Sequence, residues 1–144
     1  MDALGLPVVW TPRHAGHEPG GGYWLGTELP GDEEPERGEA LRAALAAAGA
    51  EIHDITEHGD GPVHAVHDPE FVGWMARAWP EWEAAGLDRE TGQRRVVPYV
   101  FALPQLTSGR PVPEPAAPWA RSGRYAMDTM TLIAPGTYDA ARAA

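Results

Sequence analysis

Six histidines are the residues best equipped for chemistry in this chain: His14, His17, His53, His58, His64 and His67. His14 with His17, and His64 with His67, are spaced i, i+3, which on a helix sets two imidazoles on one face. Four such rings are a sufficient donor set for zinc. The local sequence argues against that use. The first pair sits in a Gly-rich stretch, and the second directly precedes Asp68-Pro69-Glu70, a helix start at which His67 is more simply a hydrogen-bonded cap. No two histidines are adjacent and no Asp-x-His occurs. There is no cysteine, which removes disulfides, thiolate nucleophiles and thiolate ligands together.

Two other patterns have a bland reading. Gly20-Gly21-Gly22 has the composition of a phosphate cradle, but no Gly-Lys-Ser/Thr follows and the next helix opens with Glu36. Trp74, Trp79 and Trp82 could form a stacking surface, although at helical spacing an aromatic stripe belongs to a core. The 11 basic residues are all Arg, and the net charge of -10 disfavours nucleic acid, whose recognition rests on cations neutralising phosphates. A cationic partner would be steered favourably, and an acidic surface also serves solubility alone. No apolar run is long enough to span a bilayer and no basic, apolar leader opens the chain, so a cytoplasmic protein without membrane partners is expected.

The elements that must position these residues follow from local pattern. Pro7 to Trp10 reads as a buried strand of the kind a parallel sheet uses. A long loop from His14 to Asp32 follows, ordered by Tyr23 and Trp24. Pro35-Glu36-Arg37 opens a helix that Gly49 stops, and Glu51 to Ile55 has the alternation of a second strand. The result is a βαβ unit, which implies a parallel sheet. Asp68 starts a second helix, with Phe71, Val72, Met75, Trp79 and Trp82 on one face up to Gly86. Leu87 to Arg121 reads as a second long loop with a short extended piece at Val96 to Phe101. Thr137 reads as an N-cap for a last helix through Ala144.

Four stretches, in order, carry a resemblance. They are His14 with the loop Glu18-Pro19-Gly20 to Leu25-Gly26 leading into Glu34-Pro35-Glu36-Arg37; Val66-His67-Asp68-Pro69-Glu70-Phe71-Val72 with Trp79-Pro80-Glu81-Trp82; Ser122-Gly123-Arg124-Tyr125; and Ile133-Ala134-Pro135-Gly136-Thr137-Tyr138 onward. Together they resemble the first third of the histone deacetylase and acetylpolyamine amidohydrolase family. That resemblance implies an α/β fold, here the N-terminal fragment of a three-layer α/β/α domain with a mostly parallel sheet. It also implies a parent enzyme that uses zinc to activate water against the amide of a small acetylated amine or an acetyl-lysine.

The family's Asp-x-His ligands, its later Asp, its His-His acid/base pair and its carbonyl-polarising Tyr match nothing in this sequence. The resemblance therefore assigns no catalytic residue and no metal ligand within residues 1–144, which read as part of one domain cut before its catalytic segment. Zinc is expected in the complete enzyme and not in this piece, which is expected to be inactive alone. Residue by residue, the resemblance puts Arg37 beside the inner cavity beneath the metal, a role compatible with an arginine bonded to nearby carbonyls at a helix N-terminus. It sets Tyr23, Trp24 and Glu28 along the substrate channel and Tyr125 at its mouth. The acidic residue of polyamine-directed members falls at Gly22, with Glu18 or Glu28 as substitutes if the loop shifts. The acid expected after Tyr125 is displaced to Asp128, where a turn or cap role is favoured. Two associations remain open: a homodimer through the long loops, and a non-enzymatic binding module derived from the same fold whose exposed sheet edge grips a partner.

Overall fold

A computed structural model describes residues 5–25, 27–31, 33–90, 94–101, 104–130 and 132–144, so Gly26 and Asp32 of the first loop lie outside the described residues. The chain divides into two compact units. One comprises the residues up to Pro62 together with Gly136–Ala144, and the other is Val63–Pro135.

In the first unit, β1 (Pro7–Trp10), α1 (Pro35–Ala47) and β4 (Glu51–Asp54) make the βαβ unit, with β1 parallel to β4 and Pro7 through Trp10 opposite Glu51 through Asp54 in register. The helix has Pro35 at its first position, where a missing N–H costs nothing. It ends in a Schellman motif. Gly49 adopts φ 82°, its N–H reaches the Ala46 carbonyl at 3.0 Å, and the Ala50 N–H reaches that of Leu45 at 3.0 Å. Between β1 and α1 lie a 3₁₀ turn (Pro12–Gly16) and an antiparallel hairpin of β2 (Gly22–Trp24) and β3 (Thr27–Leu29). The first long loop is therefore structured, because β-forming Tyr23, Trp24 and Thr27 flank a turn in which Leu25 takes φ 51°. β1 departs from the expected buried strand: Val9 is 61% exposed, because a sheet of two strands leaves this face uncovered.

The second unit holds the aromatic core. α3 (Pro69–Ala84), preceded by the short α2 (Gly61–His64), buries Val72, Trp74, Ala78 and Trp82, with Phe71, Met75 and Trp79 partly buried beside them. The tryptophan stripe is core, with Trp74 2% and Trp82 0% exposed. Asp68 caps the helix, its Oδ1 accepting from the Glu70 N–H at 2.7 Å, while the ring of His67 lies tilted against Phe71 at 6.1 Å. The expected histidine cap is thus replaced by its neighbour, whose shorter oxygen-bearing side chain reaches the first free N–H. Asp68→Ala is expected to lower stability by about 1 kcal/mol, measured as a shift of the urea midpoint at constant slope. An unchanged midpoint would mean the cap is idle.

The second long loop contains more structure than its sequence pattern suggests. α4 (Leu87–Glu90) follows the Gly86 stop, Val96 bridges to Ile133 through an N–H···O bond of 2.8 Å, and a 3₁₀ turn covers Pro104–Thr107. The chief correction is α5 (Pro118–Tyr125), which packs on α3. It escapes the apolar-periodicity test because the residues it buries are Ser122 and Gly123. A Cβ at Gly123 would collide with the Val100 carbonyl, so this close packing is available to glycine alone. Arg121 fastens α5 to α3: it pairs with Glu81 and with Glu114 at 3.1 Å, and also donates to the carbonyls of Pro115 and Ala116.

α6 (Thr137–Ala143) returns to the first unit and packs against the 3₁₀ turn. Its N-cap is Gly136, not Thr137. The Gly136 backbone lies directly on that of Gly16, where any Cβ would strike the Gly16 carbonyl, and the Thr137 hydroxyl is committed elsewhere.

Candidate functional site

The first unit contains a cleft of about 540 Å³ between the 3₁₀ turn, the start of α1 and α6, lined by His14, His17, Glu33, Arg37, Leu41 and Thr137 among others. The crossing of Gly16 on Gly136 brings His17 and Thr137, 120 residues apart, to 2.7 Å between Nδ1 and Oγ1. The opposite ring nitrogen of His17 lies 3.2 Å from Glu33 Oε2. No short-range signal announces this hydroxyl–imidazole–carboxylate line, since its members come from three separate segments. His17 therefore anchors α6 to the 3₁₀ turn. With Thr137 bound in this way, its oxygen serves the fold and not the N-cap.

His14 is held as firmly. Its Nδ1 lies 2.7 Å from the Thr11 carbonyl and its Nε2 3.2 Å from that of Pro35, with the Trp10 ring edge-on at 5.3 Å. A Cβ at Gly38 would come within 2.6 Å of Nε2, so the glycine admits the imidazole against α1. Both ring nitrogens of both cleft histidines are thus engaged, leaving no lone pair directed at a metal. Among the described residues no three His, Asp or Glu side chains form a metal-binding group. The residues present do not fit the zinc ion that the resemblance implies.

Arg37, the third residue of α1, donates its backbone N–H to the Glu34 carbonyl at 3.1 Å, while its exposed guanidinium lines the cleft. That guanidinium makes no hydrogen bond or ion pair among the described residues. The hairpin sets Tyr23 opposite Glu28 and Trp24 opposite Thr27, and the side chains of Tyr23, Trp24 and Glu28 lie outside the described residues.

Tyr125 belongs to the second unit. Its ring stacks on Trp74 at 4.8 Å and 20°, and its hydroxyl donates to Glu70 Oε1 at 2.8 Å. Arg124 reaches the same carboxylate at 3.3 Å, so Glu70 ties α3 to α5 through two partners. Burial first, then the hydrogen bond to Glu70, pushes the Tyr125 phenol up from 10.0 to about 12. With the folded value above the unfolded one, this group's stabilisation is fully present below pH 10 and is lost between pH 10 and about 12. A Tyr125→Phe variant is therefore expected to show a shallower fall of the urea midpoint over that window than wild type. Parallel curves for the two proteins would refute the assignment. Asp128 forms a turn, its Oδ1 accepting from the Met130 N–H at 2.8 Å.

No protein-family model matches the chain. The acetylpolyamine amidohydrolase of Mycoplana ramosa is 29% identical over 117 residues, which is 81% of this chain and 32% of that protein. Acetylpolyamine amidohydrolase 2 of Pseudomonas aeruginosa is 27% identical over 129 residues, 89% of this chain and 34% of that protein. Over most of its length the chain is similar to these acetylpolyamine amidohydrolases, in line with the resemblance its motif stretches carry. A crystal structure of acetylpolyamine aminohydrolase from Burkholderia pseudomallei agrees in fold, with a TM-score of 0.80 over 96% of this chain and 37% of that one at 22% identity. The fold is thus a fragment of the α/β deacetylase fold, and the chain spans about a third of the length of the curated relatives it matches.

The four motif stretches have clear structural duties. His14 and Pro35 join the 3₁₀ turn to α1, Asp68 and Glu70 cap and cross-link α3, Gly123 seats α5, and Gly136 with Thr137 seats α6. Among the described residues no helix is long and apolar enough to cross a membrane.

Proposed function

We propose that this chain is the N-terminal segment of a zinc-dependent deacetylase acting on a small acetylated amine, and that it supplies channel walls while the metal ligands come from outside residues 1–144. The observation that supports this reading is the alignment of 81% of the chain with a protein named as an acetylpolyamine amidohydrolase, of which it matches 32%. The cleft agrees with it: an arginine whose side chain has no partner among the described residues is available to a ligand, while the neighbouring histidines have their nitrogens occupied. In this reading Arg37 faces the inner cavity, Tyr23, Trp24 and Glu28 line the channel, and Tyr125 stands near its mouth. In this reading the segment is inactive alone, because the family's metal ligands and His-His pair match no residue of the sequence.

The test uses two proteins: the chain alone, and the chain joined to the portion of the Mycoplana ramosa relative that it does not match. Zinc content and hydrolysis of acetylputrescine are measured for both. The joined protein is expected to bind zinc and turn over, and the chain alone to do neither. Stoichiometric zinc with turnover by residues 1–144, or an inert joined protein, overturns the proposal.

A further inference from the structure

Thr137 opens α6 without capping it: Gly136 is the N-cap, and no side chain closes the first turn. A threonine at a helix start ordinarily turns its oxygen on to the free N–H groups. Here the backbone of Gly136 crosses that of Gly16, too close for any Cβ, and the hydroxyl meets the imidazole of His17 instead. The hydrogen-bond inventory then fixes the tautomer of the neutral ring. Carboxylate oxygens only accept, so Nε2 carries the hydrogen of the 3.2 Å contact with Glu33 and Nδ1 keeps its lone pair. The 2.7 Å contact is therefore the Thr137 O–H donating to Nδ1.

A hydroxyl whose proton points at a basic nitrogen, on an imidazole oriented from behind by a carboxylate, is activated for attack on a carbonyl. A structural clasp would bury these groups. Instead Thr137, His17 and Glu33 all line the cleft of about 540 Å³, and none of the three is buried. Leu41 and Ala140 give the cleft aliphatic wall suited to a short acyl chain. Arg37 lines the same cleft, and its guanidinium is the group available to the negative charge that develops on a carbonyl oxygen.

We infer that this cleft hydrolyses short-chain carboxylic esters, with Thr137 as nucleophile, His17 as general base and then general acid, and Glu33 as the residue that positions His17. The Thr137 oxygen bonds to the ester carbonyl carbon while its proton passes to His17 Nδ1. The bond from that carbon to the alcohol oxygen then breaks, and the alcohol leaves with the His17 proton. Water repeats the sequence on the acyl-threonine: its proton passes to His17, its oxygen bonds to the acyl carbon, and Thr137 recovers a hydrogen as the carboxylic acid departs. The net change is ester plus water to acid plus alcohol. This activity goes beyond the zinc-dependent amide hydrolysis proposed above, and needs no residue outside this chain.

The 144-residue chain, treated with EDTA, is assayed with p-nitrophenyl acetate. The probe suits the sequence, which has no cysteine and no lysine to take the acyl group. Turnover is expected, with acetyl on Thr137 in acid-quenched samples read by peptide mass spectrometry, because p-nitrophenolate leaves more easily than the threonine oxygen. General-base action contributes about 10²–10⁴-fold, so His17→Gln is expected to lose at least ~100-fold in kcat, and Thr137→Ala to fall to the same level. Glu33→Gln is expected to lose only about 10-fold, in kcat and not in KM, since a carboxylate 60% exposed orients the ring less firmly than a buried one. Thr137→Ser keeps the hydroxyl and is expected to keep turnover. His64→Gln, at an exposed histidine outside the cleft, is expected to match wild type, which separates this site from hydrolysis by surface imidazoles. Circular dichroism checks that each variant is folded; where His17→Gln or Thr137→Ala is not, the position of the acetyl group and the Thr137→Ser rate decide. Absence of turnover by the folded chain, activity lost to EDTA, acetyl on another residue, an inert Thr137→Ser, or a folded His17→Gln as fast as wild type each overturns the inference.

Discussion

Replacing Trp82 by Ala is expected to remove about 3–5 kcal/mol of stability, a large part of what a domain of this size possesses. Trp82 is fully buried at the centre of the cluster formed with Trp74, Ala78, Val96, Val97 and Ile133. The loss combines the transfer free energy of an indole with the cavity it leaves, and the walls of that cavity come from α3 and from the Val96–Ile133 bridge, which cannot both collapse inward. Trp82→Phe, which retains an aromatic ring, is expected to lose much less. Leu41→Ala, at a site 56% exposed, is expected to stay within about 0.5 kcal/mol. Urea unfolding followed by circular dichroism at 222 nm measures all three. A loss below about 1 kcal/mol for Trp82→Ala would mean that the core does not enclose this ring.

The positions that were legible in the sequence are those where one residue type carries a local signal. Pro35 and Gly49 bound α1, Asp68 and Gly86 bound α3, an apolar run marks β1 and alternation marks β4; in each case the physics acts within a few residues. Burial was less legible, because it depends on what covers a strand and not on the strand itself. Val9 has the side chain of a core residue and lies exposed. α5 was missed for the converse reason. Its buried positions are Ser122 and Gly123, so its packing leaves no hydrophobic period to detect.

The candidate site divides in the same way. Arg37 could be placed on α1 from Pro35-Glu36-Arg37 alone, and it lies exposed in the cleft. The contacts around it could not be anticipated. Two histidines at metal-like spacing are spent on carbonyls, a threonine and a glutamate, through contacts that span up to 120 residues. The Thr137 hydroxyl illustrates the competition. A threonine before a helix has two uses for its oxygen, the free N–H groups of the first turn or a partner from elsewhere, and here His17 prevails. The motif stretches of the first unit thus record how the 3₁₀ turn, α1 and α6 are held together, while Arg37 reaches the cleft without a side-chain partner among the described residues.

The second large effect is expected at Gly123, where a single added methyl should cost about 3 kcal/mol, the upper part of the range for overpacking. The obstacle is backbone on both sides. Gly123 lies inside α5, and its missing Cβ would enter the space held by the Val100 carbonyl and, at 3.1 Å, the Phe101 Cα. Neither can rotate aside as a side chain would. Relief therefore requires α5 to move as a body, which pulls the Tyr125 hydroxyl from Glu70 and Arg121 from Glu81 and Glu114. Those contacts are shared between α5 and α3, so the penalty spreads beyond the site of substitution, and Gly123→Ala should also disturb the Tyr125–Trp74 stack seen by near-ultraviolet circular dichroism. Ser122→Ala is the control. Its hydroxyl bonds to the Trp119 carbonyl of the same helix at 3.1 Å, so the loss should stay near 1 kcal/mol with the aromatic spectrum intact. Equal losses for the two variants, or an unperturbed aromatic spectrum in Gly123→Ala, would show that α5 does not rest on Val100.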